Sequence, residues 1–514
     1  MTEATISGAK INGLEMNGLA RRTALGAGLL ILSRLGAKLI DLITLIALTH
    51  LLTPEDFGLV AIAMTLVQIC EAIFELPVAQ VLVRADEVTQ PLLHTAMTLG
   101  ALRGLVLGVC LALSAWPFAM LYGDARIAPL ICFLALAPIL RGLASPAMVH
   151  FTRRMDFRPD VSGEIIGKAL ALLVAAGVAL ATHSYWAIAT ASVASPLFLA
   201  VISYLWAPMR PGLRLADWRM FARFLSWTSA AQLFSALNWQ ADRLILARFI
   251  PRAALGLFSM ASDLAALPDQ ALLKPTMRTF LPALSQKKDD PEALTEAYLS
   301  LTCCVFAMVA PVVVALSLLA EPIVRLVLGA RWLGVAPCLS MLAPVLLLFT
   351  IYNPLSALAI AVGKPEASLR LTLVEFLVRI PLTLLAAWCW GLTGAIAVRA
   401  VVGAIALGNA LILLRALIGL HPARVLVALA RPMAAACAMA MLLLIARPWL
   451  GGLGPWPLGA GLLLCGGAGM AFYGLALTGL WHGAGCPTGG EARLIAMGST
   501  ACRKLMQRGA AAMA

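Results

Sequence analysis

About fourteen stretches of roughly 20 or more predominantly apolar residues follow one another through this chain with little between them. They run over 24–50, 57–82, 92–119, 127–150, 162–181, 185–206, 220–246, 254–284, 297–319, 335–361, 367–388, 390–417, 425–446 and 455–480. A helix needs about 20 such residues to cross the hydrocarbon core of a bilayer. Inside that core every backbone N–H and C=O must find a partner within the protein, which only helices and closed barrels achieve. These stretches are far longer than the roughly 10-residue alternating strands of a membrane barrel. The predicted fold class is therefore all-α: a polytopic membrane protein of about 14 transmembrane helices. Composition agrees, with 61% hydrophobic and 12% charged residues and a mean hydropathy of +0.93, far from the balance of a soluble domain.

A net charge of +13 raises the question of a nucleic-acid partner, which the placement of the cations answers. With the amino terminus taken as cytoplasmic, 21 Lys and Arg fall in tails and loops on that side and six on the other. This asymmetry is the positive-inside pattern that orients helices during insertion. It places both termini in the cytoplasm and implies no nucleic acid. Arg21-Arg22 ahead of the first apolar stretch reads as such a flank. The stretch is longer than a signal-peptide core, carries Arg34, Lys38 and Asp41, and shows no clear small-residue cleavage site, so the first helix is expected to be retained.

Eight of the eleven cysteines lie within apolar stretches and a ninth, Cys389, at the junction of two, where they behave as small hydrophobes. There is no CxxC, and the six histidines form no ligand-spaced pair, so no metal site and no cofactor is expected. No Walker A sequence is present; the nearest fragment, Gly163 to Lys168, has the wrong spacing and ends against Ala169. Loops are short, the longest near 207–219 and 285–296, which leaves no room for a soluble catalytic domain between helices. An enzyme is not expected.

The chain echoes itself. Pro54 precedes Phe57-Gly58-Leu59, and Pro77 follows Gly58 by nineteen residues; Pro251 precedes Leu255-Gly256-Leu257, and Pro275 follows Gly256 by nineteen. A second echo pairs Arg158-Pro159-Asp160 with Lys364-Pro365-Glu366. Such repeats in transporters mark two related bundles around a central site. The expected organisation is a cytoplasmic tail at 1–23, a first lobe at 24–206, a linker at 207–219 and a second lobe at 220–417. Two extra helices at 418–480 and a cytoplasmic tail at 481–514 complete it. Pro138, Pro146, Pro196, Pro275, Pro311, Pro344, Pro354 and Pro381 fall inside the stretches, where each removes a backbone donor and tends to kink or open a helix.

With Arg223, Arg370 and Arg415 at the cytoplasmic ends counted among the loops, eleven cations lie within the stretches, each costing about 2.5–3.5 kcal/mol at a helix centre on insertion scales. A water-filled cavity between the bundles, lined by these groups, is the economical arrangement. Arg34, Lys38 and Asp41 share one face of the first helix. Arg103, Arg141 and Arg399 have no acid within four positions on their own helix, so a counterion across the cavity or on a ligand is expected. Lys274 and Arg278 flank Pro275. Arg suits bidentate phosphate recognition and Lys point-charge contact, so Arg34, Lys38, Arg103, Arg141, Lys274, Arg278 and Arg399 are the candidate binding residues for an anionic substrate. Asp41, Asp242, Asp263 and Glu375 are candidates for proton or cation coupling; pairing with the cations is an equally open role. Glu164 with Lys168 and Glu375 with Arg379 are i,i+4 pairs that read first as structural.

The stretch Leu52-Thr-Pro-Glu-Asp-Phe-Gly-Leu59 resembles the first-loop signature of the polysaccharide transporter family, in the branch that includes the colanic acid exporter. Similar agreements follow in order: Val83-Arg84 with Asp86, Arg154 with Phe157, Asp242-Arg243, Leu255-Gly256, Phe280-Leu-Pro-Ala-Leu-Ser285, Glu321-Pro322, Leu328-Gly329 with Arg331-Trp332, and Gly363-Lys364. The resemblance spans about residues 25–420 and stops before the last two helices. It implies a Wzx-type flippase in the superfamily shared with multidrug exporters and the peptidoglycan-precursor flippase. Such a protein passes undecaprenyl-diphosphate-linked oligosaccharide units across the bacterial inner membrane by alternating access, among membrane lipids and beside the polymerase and chain-length components of its pathway. The competing readings are a cation-coupled drug antiporter on the same architecture and a membrane glycosyltransferase or polysaccharide ligase. Intramembrane cations disfavour the first, and short outer loops disfavour the second.

Overall fold

The structure, a computed structural model, describes residues 36–74, 78–154, 156–216, 235–364, 366–452, 454–487, 489–492 and 494. Among these residues every regular element is helical. Nine helices among the described residues are long and apolar enough to cross a membrane, and a tenth results if one bent pair is counted as a single span. The chain is an all-α, multi-pass membrane protein. The predicted span 220–246 lies largely outside the described residues, as does Arg34.

The chain divides into two compact units, residues 1–240 and 241–514, with the division inside helix α10 (235–249). Unit 1 holds α1 (36–51), α2 (Pro54–Ile73), α3 (Val78–Arg84), α4 (Gln90–Tyr122), α5 (Ile127–Leu134), α6 (Leu136–Gly142), α7 (Val149–Arg153), α8 (Arg158–Thr182) and α9 (Trp186–Trp206). The loop signature proves to be a helix start: Thr53 accepts from the Asp56 amide, the Asp56 side chain answers the Thr53 amide, and Pro54 sits in the first turn, where its missing N–H costs nothing.

Small residues set the packing of unit 1. In α8, Gly163, Gly167, Ala171, Ala175 and Ala179 recur every four positions, all buried, along the helix that packs most closely on α9. In α4, Gly100, Gly104 and Gly108 make a second such row facing α6. A Cβ on Gly100 would lie 2.8 Å from the Gly142 carbonyl oxygen, and one on Gly104 2.7 Å from that of Pro138. In lipid, where apolar surface gains little by leaving its solvent, close backbone approach through small residues supplies much of the helix association.

Unit 2 holds α11 (Arg252–Ala265), a π-helical turn (Asp269–Leu273), α12 (Lys274–Ser285), α13 (Pro291–Leu318), α14 (Ala320–Val327), α15 (Val335–Leu342) and α16 (Val345–Ala361). The chain then continues through α17 (Glu366–Ile418), α18 (Pro422–Leu450) and α19 (Pro455–Gly483). α17 breaks at Gly391, whose φ of 58° and ψ of −133° are open to glycine alone at little cost. This is the boundary expected between 367–388 and 390–417. α13 packs on α16 and α18, and α18 on α19, so α18 and α19 join unit 2 through α13.

Three predicted spans are not single helices. Residues 57–82 contain two, α2 and α3. Residues 127–150 form α5 and α6, and this pair meets the next helical segment, Pro146–Arg153, at a bend of 49°. Residues 254–284 form α11, the π turn and α12. Proline explains two of the breaks: Pro146 and Pro275 each stand in the first turn of the segment that follows. Pro275, the proline of the first echo in unit 2, thus stands at an interruption of its span, while its counterpart Pro77 lies outside the described residues. Pro196, Pro311 and Pro354, by contrast, lie inside continuous helices, and Pro381 inside the arm of α17 that precedes its break.

Beyond α19, Gly485 and Cys486 both adopt positive φ, 79° and 56°. Trp481 Nε1 donates to the Pro487 carbonyl at 3.0 Å. Gly490 then packs against the backbone of α13, with no room for a side chain beside the Ser300 carbonyl and Cys304 amide. Glu491, 3% exposed in its side chain, pairs with Arg431 of α18 at 3.3 Å, and Cys303 Sγ lies 4.0 Å from the same carboxylate.

Candidate functional site

In unit 1, α1, α6, α8 and α9 surround a cleft of about 360 Å³ whose polar lining includes Asp41, Thr44, Arg141, Lys168, Ser192 and Ser195. Because the small-residue row of α8 is turned to α9, Lys168 sits one step round the helix at the cleft. Lys168 Nζ donates to Asp41 Oδ2 at 2.8 Å and lies 3.5 Å from Glu164. Lys38 lies 3.8 Å from Asp41 on the same helix. Arg141 Nη1 donates to Glu71 Oε1 of α2. Arg103, on α4, donates to the carbonyls of Phe74 and Glu71, the end of α2 where the backbone has run out of helical partners.

The acceptors for these arginines therefore come from neighbouring helices of the same unit. Arg141 has Glu71 and Arg103 has the open end of α2. Among the described residues Arg141 spends one nitrogen and retains Nε and Nη2, with its side chain 48% exposed. The site residues of unit 1 count four cations, Lys38, Arg103, Arg141 and Lys168, against three carboxylates, Asp41, Glu71 and Glu164.

In unit 2 the polar cluster centres on Asp242 of α10. Arg379 of α17 grips its carboxylate with two nitrogens, Nε to Oδ1 at 3.1 Å and Nη2 to Oδ2 at 2.8 Å, and turns Nη1 to Glu375 at 3.4 Å. These three groups are buried. Glu375, Arg379 and the buried Thr383 follow at four-residue steps, one inward face of α17. Arg399, from the far arm of α17, donates to Asp242 through Nε and lies 5.7 Å over the Phe258 ring. Its Nη1 and Nη2 have no hydrogen-bond partner among the described residues, and its side chain is 21% exposed. Nearby Arg243 pairs with Asp263, so three cations meet three carboxylates.

Lys274 lies 3.6 Å from Asp269 across the π turn. The Arg278 side chain, like Arg34, lies outside the described residues. All four candidate coupling acids, Asp41, Asp242, Asp263 and Glu375, are engaged by Lys or Arg. Lys168 and Arg379, read first as partners of the acids four residues before them, also reach Asp41 and Asp242 on other helices. Ser192 and Ser195, which line the first cleft, escaped the sequence reading; with Thr190 they put three hydroxyls within six residues of an apolar helix, which was the available signal. Among the described residues no group of three His, Cys, Asp or Glu is placed to hold a metal.

Long apolar helices in two units, each carrying ion clusters at membrane depth, define a multi-pass helical transporter. Residues 47–337 match the polysaccharide biosynthesis protein family, more than half of the chain, and the chain belongs to that family. It is 26% identical over 326 residues to the succinoglycan biosynthesis transport protein ExoT of Rhizobium meliloti (strain 1021), covering 63% of this chain and 66% of that one, just under two thirds. It is 26% identical over 395 residues to the lipopolysaccharide biosynthesis protein WzxC of Escherichia coli (strain K12), covering 74% and 75%. The fold is similar to that of the lipid II flippase MurJ in an inward closed conformation, with a TM-score of 0.67 at 13% identity over 90% of this chain and 99% of that one. An outward-facing multidrug resistance MATE family transporter of the MOP superfamily gives 0.51 at 16% identity, over 77% and 95%.

Proposed function

We propose that this protein flips an oligosaccharide linked through a diphosphate to a polyprenyl lipid across the bacterial inner membrane, supplying exopolysaccharide, capsule or O-antigen assembly. It acts by alternating access, as a transporter and not an enzyme, with both termini in the cytoplasm. Family membership and the MurJ-like fold support the class. The observation that carries the substrate is Arg399: Asp242 fixes it through Nε and leaves the Nη1/Nη2 edge of the guanidinium without a described partner. Such an edge, held still in a low-dielectric setting, matches two oxygens of a phosphate. Arg141 repeats the arrangement in unit 1 around Glu71. A cationic drug would meet a like charge at both places.

Deleting the gene should leave lipid-linked repeat units on the cytoplasmic leaflet and abolish polymer at the cell surface. R141Q and R399Q should each lower surface polysaccharide at least about tenfold at wild-type protein abundance, the scale set by losing one charge-assisted hydrogen bond. Unchanged intermediates together with altered drug tolerance would replace this reading with the antiporter.

A further inference from the structure

A second cleft, of about 370 Å³, lies in unit 2 where α14 meets the last turn of α18 and the first turn of α19. It sits at the end of α13 remote from Lys287 and Lys288. Glu321 and Arg325 line it from α14, Arg447 from α18 and Leu458 from α19. Arg447 Nη2 donates to Glu321 Oε2 at 2.8 Å, and Arg325 Nη1 donates to the Gly451 carbonyl at 3.1 Å. One carboxylate against two guanidiniums leaves one positive charge. A guanidinium has five N–H donors, and each of these spends one among the described residues.

The surface beside the cleft is apolar: Ile445 and Trp449 are 69% and 82% exposed, and Leu444 is half exposed. A charged group beside lipid-facing Trp and Leu is stable at the headgroup level, where its donors meet water or phosphate, and Trp favours the same level. α14 fits this depth, a two-turn helix with Ala320, Pro322 and Val324 buried and Glu321 and Arg325 outward.

We propose that this cleft binds the headgroup phosphate of an anionic phospholipid, whose acyl chains run along the exposed apolar face of α18. Arg325 and Arg447 hold the phosphodiester. The net charge of the cleft complements one negative charge, which favours phosphatidylglycerol over a zwitterionic lipid. The bound lipid covers the seam between α14 and the two helices appended to the repeat.

Native mass spectrometry of the delipidated full chain, titrated with phosphatidylglycerol and separately with phosphatidylcholine, tests the site. The wild type should bind one phosphatidylglycerol at least about tenfold more tightly than phosphatidylcholine, and R325Q/R447Q should lose that preference. E321Q, a conservative change at an exposed position, should tighten phosphatidylglycerol binding. Equal binding of both lipids by the wild type, an unchanged preference in R325Q/R447Q, or weaker phosphatidylglycerol binding by E321Q would overturn the assignment. Capture of a polyprenyl diphosphate with no binding of phosphatidylglycerol would also overturn it. The readout involves no transport, so its failure is separate from a failure of the flippase reading.

Discussion

Arg103, Arg141 and Arg399 look alike in the sequence, three arginines without an acid on their own helix, and the structure gives them different work. Arg103 ties the open end of α2 to α4. R103A should lower the thermal midpoint of the purified protein by the equivalent of about 1–3 kcal/mol, the cost of carbonyls left without donors. Its effect on export should follow its effect on abundance. Arg399 should behave in the opposite way: R399K keeps the charge but loses the planar edge, so export should fall while the midpoint holds, read from surface polysaccharide and from a thermal-shift assay. Asp242 belongs to the fold first. D242N leaves the buried Arg379 without its main counterion and should cost about 3–5 kcal/mol, seen as a large loss of folded protein. Intramembrane charge was visible in the sequence, and with it all of these residues. Which acid each arginine meets was not, because Glu71 with Arg141 and Asp242 with Arg399 are separated by 70 and 157 positions and only the packing of helices joins them.

The helices were legible wherever a long apolar run coincided with an uninterrupted backbone, as in α8, α9 and α13. Hydropathy failed at the interruptions, since α2 with α3, and α11 with α12, stay apolar across the break. The break is a matter of hydrogen bonding: a proline without an N–H opens α12, and an arginine side chain satisfies the end of α2. Pro275, nineteen residues beyond Gly256, was the trace of the break before α12. The row Gly100, Gly104, Gly108 was equally readable as a packing face, and it positions Arg103 on α4. G104V should separate α4 from α6 and cost about 1–3 kcal/mol of overpacking, measurable as a lowered midpoint and reduced accumulation in the membrane.

Over the whole molecule the two units differ in their charge. Among the described residues the ion cluster of unit 1 keeps one cation in excess, whereas that of unit 2 is balanced, with the Nη1/Nη2 edge of Arg399 as its remaining means of attracting an anion. The surplus expected from the bare count of cations is thus mostly answered by carboxylates on neighbouring helices. The final two helices carry no echo in the sequence, and their place in unit 2 rests on α13, α18 and the returning segment at Gly490 and Glu491. Removing residues from 485 onward should strip Arg431 of Glu491 and uncover Cys303, 4% exposed in the intact chain. Maleimide labelling of that thiol, mapped by peptide mass spectrometry, should rise at least several-fold. For anyone who wishes to attach a fluorescent reporter, the lesson is practical: a passenger fused close behind Glu491 pulls on a peg already driven into the frame.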